Sequence, residues 1–156
     1  MEERSLQEIY GPNTVCFGCG PGNPRGLHVR SFPDGDESCV CRWTPEPDHH
    51  AFPGVLNGGI CGAVLDCHSN WTAAWVLMRR SGSLVPPCTV TADFAVALRR
   101  PTPMGVELFV RGRVVSAEAD RAVIEAFIEV GGRTTATCRG LFVAVKEGHP
   151  AYHRWA

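Results

Sequence analysis

The sequence predicts an α+β domain in which a largely antiparallel sheet of about six strands wraps one long central helix. Three observations carry this expectation. From Gly58 to Arg80, the residues Ile60, Val64, Cys67, Trp71, Ala74, Trp75 and Met78 recur at spacings of three and four, the period of a helix with one apolar stripe. Downstream, four segments rich in β-branched and aromatic residues alternate in polarity, as half-buried strands do. Upstream, two shorter segments flank Pro33-Asp34-Gly35-Asp36, a hairpin turn. Two strands, one helix and four strands make a sheet with helix on one face.

Each element has its own sequence reason. Residues 1–10 suit a short helix, and Gly11-Pro12-Asn13 with Gly20-Pro21-Gly22-Asn23-Pro24 makes 11–24 an ordered turn-rich loop. Leu27 to Phe32 and Ser38 to Thr44 are the first two strands, after which Pro45, Pro47 and Pro53 keep the chain irregular up to Gly54. The helix stops at Ser81-Gly82-Ser83 and Pro86-Pro87. The later strands are Cys88 to Leu98, Gly105 to Ser116, Ala122 to Val130 and Thr134 to Val145, the last two joined as a hairpin by Gly131-Gly132. Simple alternation puts Val90, Ala92, Phe94, Val96 and Leu98 on one face of their strand, with Thr89, Thr91 and Asp93 on the other. The expected division is an N-terminal helix and loop over 1–25, the main domain over 26–147 and a tail over 148–156. One helix cannot cover both faces of such a sheet, so a second copy is the expected cover: a homodimer, extendable to a dimer of dimers.

A chain of 156 residues fits one domain with a sizeable core. Its net charge of −1 gives no bias towards nucleic acid or an anionic membrane. The start, Met1-Glu2-Glu3-Arg4-Ser5, lacks the basic and apolar regions of an export signal. The most apolar segment, around 51–65, is broken by Asn57, glycines and a proline, so no membrane partner is expected. A cytoplasmic, reducing setting follows, with the eight cysteines as thiols. Cys16-x-x-Cys19 and Cys39-x-Cys41 offer four thiolates, but the second pair is too tight for a zinc knuckle. The expectation is therefore a packed turn and no metal.

The segment Asn57-Gly58-Gly59-Ile60-Cys61-Gly62-Ala63-Val64-Leu65-Asp66 carries the chemistry. Asp66 is the only acidic residue between Ile60 and Met78. A carboxylate on a packed helix loses hydration and calls for a partner or a function, as general base or as nucleophile. Gly58 and Gly59 stand where a helix offers free backbone N–H groups and the positive end of its dipole. On a helical wheel Gly59, Gly62 and Asn70 lie within about 40° of Asp66. His68 lies about 200° away, so the two cannot form a dyad, and Cys67 belongs to the apolar stripe.

The ordered motifs resemble the hot-dog fold, and within it the PaaI-type branch of the 4-hydroxybenzoyl-CoA thioesterase superfamily. Members of that branch carry His-Gly-Gly, then six residues, then Asp or Glu; here Asn57-Gly58-Gly59 is separated from Asp66 by the same six residues. The likeness continues in Val90-Thr91-Ala92-Asp93-Phe94, Arg99-Arg100-Pro101, Pro103 and Gly105, and in Cys16-Phe17-Gly18-Cys19-Gly20, Asn23-Pro24 and Gly26-Leu27. It covers residues 16 to 145.

The resemblance implies hydrolysis of an acyl-CoA thioester, with coenzyme A entering as part of the substrate and no separate cofactor. It implies Asp66 as base or nucleophile, Gly59 and its neighbour Gly58 as oxyanion donors, and Asn57 and Thr91 as positioning groups. Arg99 and Arg100 correspond to residues that meet CoA phosphates, although alternation should let only one of them face a given ligand. Asn70, on the Asp66 face, joins them as a candidate substrate contact. Asn57 replaces the usual His and cannot titrate near neutrality. Ala51 and Phe52 stand where some relatives carry a further Asn or Gln. Two other readings use the same fold: a silent acyl-CoA-binding or sensing domain, and a dehydratase or hydratase needing a His paired with an acid.

Overall fold

The computed structural model describes residues 2–156. Its elements follow the expected order. They are α1 (Leu6–Tyr10), β1 (Phe32–Pro33), β2 (Ser38–Trp43), β3 (His50–Phe52), β4 (Val55–Leu56), α2 (Gly58–Ser81), β5 (Thr89–Leu98), β6 (Leu108–Glu118), β7 (Arg121–Val130) and β8 (Arg133–Ala144). The main sheet has six strands in the order β1-β2-β6-β7-β8-β5, every pair antiparallel. It wraps α2, whose residues are buried nearly all round from His68 to Met78.

Three local expectations are corrected. Leu27 to Phe32 does not form a full strand. His28 turns into the left-handed region at φ 57, and the backbone N–H groups of Leu27 and Val29 bond to Phe17 and Gly18 of the preceding loop instead. The supposedly irregular stretch before α2 holds a two-stranded ribbon, β3 with β4. In β5 a bulge between Thr91 and Asp93 inserts Ala92 as an extra residue. Beyond a bulge the side chains change sides. Thr91, Phe94, Val96 and Leu98 therefore pair with Phe142, Gly140, Cys138 and Ala136 along one face, the face towards α2.

The sheet's inner face supplies the core: Cys39, Cys41, Leu108, Val110, Ile124, Ala126, Ile128, Ala136 and Phe142 are all buried. Gly112 lets β6 run close to the helix, since a Cβ there would sit 2.6 Å from the Thr72 hydroxyl. The outer face is not apolar. Arg113 and Arg139 both reach Glu125, and Arg42 and Arg111 lie over Phe109. The reason given above for a second copy, an uncovered sheet face, thus fails here; the long strand with one free edge is β5, where Phe94 and Leu98 are exposed.

The N-terminal segment and the tail both join this core. The Gln7 amide N–H donates to Ser31 Oγ at 3.0 Å, and Leu6 is buried. At the other end the Trp155 ring lies 4.2 Å from that of Trp71, and its N–H donates to the Pro87 carbonyl at 2.9 Å.

Candidate active site

The site begins at the first turn of α2. Asn57 caps the helix: its Oδ1 accepts from Gly59 N–H at 2.8 Å and from Ile60 N–H at 3.3 Å. This redistributes the expected oxyanion donors. The Gly59 N–H is taken by the cap, whereas that of Gly58 has no partner among the described residues. Asn57 thereby orients the turn. Leu98 of β5 lies directly over Gly58, its terminal methyl 2.7 Å from where a Cβ would be, so a side chain there would push Leu98 aside.

Gly58 opens onto a cleft of about 390 Å³ between the β3–β4 ribbon and the end of β5. Arg99 and Arg100 both line it, contrary to the alternation argument. The reason is local: both backbone N–H groups bond to the same Thr135 carbonyl, at 2.8 and 3.0 Å, so the strand has ended and no longer alternates. Ala51 and Phe52 line the same cleft and bring no amide side chain to it.

Two turns on, the Thr91 hydroxyl donates to Asp66 Oδ1 at 2.6 Å. The bulge in β5 does not disturb this contact, because Thr91 precedes it. Burial raises the Asp66 carboxyl above its ordinary value, the Thr91 hydroxyl opposes that, the Cys16 sulfur adds to it, and the Arg154 guanidinium opposes it again. Arg154 is a residue that sequence reasoning missed. Its guanidinium donates to the Thr89 carbonyl at 2.8 Å and stacks on Trp155, which sets the tail beside the carboxylate. Nothing local in the tail marks this, since its position depends on the Trp71–Trp155 contact.

Asn70 is on the same side of α2 but buried. Its amide N–H donates to the Thr89 carbonyl at 3.3 Å, while its Oδ1 has no partner. It anchors the start of β5 in this chain and does not reach the arginine-lined cleft. His68 faces away, as helix geometry requires. It is fully buried, accepting at Nδ1 from the Ser31 hydroxyl (2.8 Å) and donating from Nε2 to the Cys39 carbonyl (3.0 Å). Burial lowers its pKa to about 4, so the ring is neutral. Cys39 and Cys41 lie apart from Cys16 and Cys19, inside the sheet, and burial pushes both thiols up to about 12.

No protein-family model matches the sequence, and neither does any curated protein. Solved structures do. A thioesterase superfamily protein from Shewanella loihica is 28% identical with a TM-score of 0.63, covering 76% of this chain and 91% of that one. Zebrafish thioesterase superfamily member 2 is 18% identical with a TM-score of 0.67, covering 92% of this chain and all of that one. A thioesterase from Haemophilus influenzae is 14% identical with a TM-score of 0.64, covering 79% and 84%. With its antiparallel sheet wrapped around one long helix, the chain is a hot-dog-fold protein of the kind found in the thioesterase superfamily.

Proposed function

We propose that this protein hydrolyses acyl-CoA thioesters, as a homodimer of the PaaI type, in the cytoplasm. The observation that carries the reading is the 2.6 Å contact between Thr91 and Asp66. It holds a half-buried carboxylate of raised basicity with one oxygen engaged and the other available to a water. In the proposed reaction Asp66 takes a proton from that water, and the hydroxide adds to the thioester carbonyl carbon. The developing oxyanion accepts the Gly58 N–H at the positive end of α2. Collapse breaks the carbon–sulfur bond, and the departing CoA thiolate takes up a proton. Arg99 and Arg100 supply guanidinium groups for CoA phosphates at the mouth of the Gly58 cleft.

A distance supports the dimer. Gly58 and Asp66 are eight residues apart on one helix, so about 12 Å separates them. One carbonyl cannot meet both within a protomer. Two copies related by a twofold axis near Gly62, midway between them, would set Gly58 of one against Asp66 of the partner subunit. The exposed β5 edge beside Gly62 is the surface for that contact. A dehydratase is not favoured, because the only histidine of α2 is sealed in the core with both ring nitrogens engaged. Thiol release over a panel of acyl-CoAs tests the activity. Turnover by the native protein is expected, and no turnover on any thioester would leave the binding-domain reading in its place.

A further inference from the structure

Three of the eight cysteines share one place, and the proposed hydrolysis uses none of them. The Sγ atoms of Cys16, Cys19 and Cys67 all lie within 4.8 Å of one another, those of Cys16 and Cys67 at 3.7 Å. The other buried cysteines behave differently: Cys39, Cys41, Cys61 and Cys138 stand in the core as separate small apolar groups.

The backbone is built around this convergence. The Cys16–Cys19 turn closes with Gly20 N–H on the Cys16 carbonyl at 2.8 Å, and the Phe17 and Gly18 carbonyls accept from Leu27 and Val29. Gly18 sits directly over the helix sulfur, where a Cβ would come within 2.2 Å of Cys67 Sγ. One helical turn past Cys67, the Trp71 indole is completely buried and its N–H has no hydrogen-bond partner among the described residues. That N–H lies near the Cys19 sulfur. A neutral thiol accepts hydrogen bonds weakly, whereas a metal-bound thiolate accepts well and commonly has such an outer donor.

The spacing suits a cation. Zinc holds thiolates at about 2.3 Å in a tetrahedron, which puts sulfurs about 3.8 Å apart, close to the 3.7 Å between Cys16 and Cys67. We propose that Cys16, Cys19 and Cys67 form a three-thiolate site for a soft divalent cation, zinc in the first instance, with the fourth position left to a non-protein ligand. Binding displaces the thiol protons to solvent and ties the N-terminal loop to the middle of α2. The third ligand comes from the helix and not from the Cys39-x-Cys41 pair, whose thiols lie apart inside the sheet.

The test is independent of thioesterase activity. The native chain, kept reduced, is loaded with Zn²⁺ or Co²⁺ and desalted. The expected result is one metal per chain, thiolate-to-cobalt charge-transfer bands, and an X-ray absorption shell of three sulfurs at about 2.3 Å around zinc. Cys67→Ala and Cys16→Ser are each expected to weaken binding by at least about tenfold, while Cys88→Ser leaves it unchanged. A zinc shell of nitrogen and oxygen alone, or metal lost on desalting the native chain, overturns the proposal. So does binding unaltered in both variants. The absorption measurement on native protein decides the matter even if a variant does not fold.

Discussion

Two sides of one helix carry an acid and a base two residues apart, and their surroundings give them opposite fates. On the β5 side, Asp66 is half-buried and holds one hydroxyl partner, and its neighbours Gly58 and Gly62 lack side chains. On the β2 side, His68 is fully buried in a chain of bonds running from Gln7 through Ser31 to the Cys39 carbonyl. Burial raises the carboxyl of the first and lowers the imidazole of the second, so each moves towards its neutral form. The difference lies in satisfaction. His68 has no unused hydrogen-bonding group and serves the fold, whereas Asp66 keeps an oxygen free and can serve a reaction.

The largest expected effect separates these roles directly. Asp66→Asn should lower turnover by about a hundredfold or more, the scale of a lost general base, while circular dichroism stays native. Its thermal stability at neutral pH should rise, because the native state no longer holds a charge that burial disfavours. Activity within a few-fold of native would remove Asp66 from the mechanism. His68→Leu should do the reverse. It strands the Ser31 hydroxyl and the Cys39 carbonyl in the core, costing about 2–4 kcal/mol in denaturant unfolding. The rate per folded molecule should remain within about twofold of native.

The pH dependence of stability has a definite sign on the His68 side. The folded pKa of about 4 lies below the ordinary 6.5, so the unfolded chain binds the proton first. The contribution of His68 is fully present above pH 6.5. It is lost as pH falls towards 4, at up to roughly 1.4 kcal/mol per unit and about 3 kcal/mol in all. Denaturant midpoints measured between pH 7 and 4 should show this slope, and His68→Leu should flatten it. An equal slope in the variant would assign it to other groups.

The contrast between the two sides was half legible in the sequence. Helix periodicity alone separated Asp66 from His68, because 100° per residue is a property of the backbone. The strand order followed from alternation and turn residues for the same reason. What escaped depended on tertiary register. The bulge at Ala92 has no local mark, yet it puts Thr91 and Val96 on one face. Arg154 comes near Asp66, on the Thr89 carbonyl, through a tail held by the stacking of Trp155 on Trp71. Which glycine N–H stays free at the start of α2 turned on which one the Asn57 cap would take, a choice made by side-chain geometry.

Thr91 sharpens the Asp66 side further. Its hydroxyl stabilises the carboxylate form, so Thr91→Ala should raise the Asp66 pKa and move the acidic limb of the kcat/KM profile to higher pH. The rate at the plateau should fall about tenfold, a partial loss that Thr91→Ser restores. An unchanged limb would leave Thr91 with its strand role alone.

The smallest effect belongs to the cleft mouth, and it tests whether the β5 side is a substrate site at all. Arg99 and Arg100 are exposed, so each guanidinium–phosphate contact is screened by solvent and salt. Each also borders a second groove that carries further arginines, Arg100 beside Arg133 and Arg99 beside Arg113 and Arg139. Arg99→Ala and Arg100→Ala should therefore each raise KM for an acyl-CoA by about threefold to fivefold, with kcat unchanged. An acyl-pantetheine thioester has no nucleotide phosphates, and its KM should not respond to either substitution. A fall in kcat at constant KM would place these arginines in the reaction step or the fold, and the cleft would lose its reading as the CoA entrance.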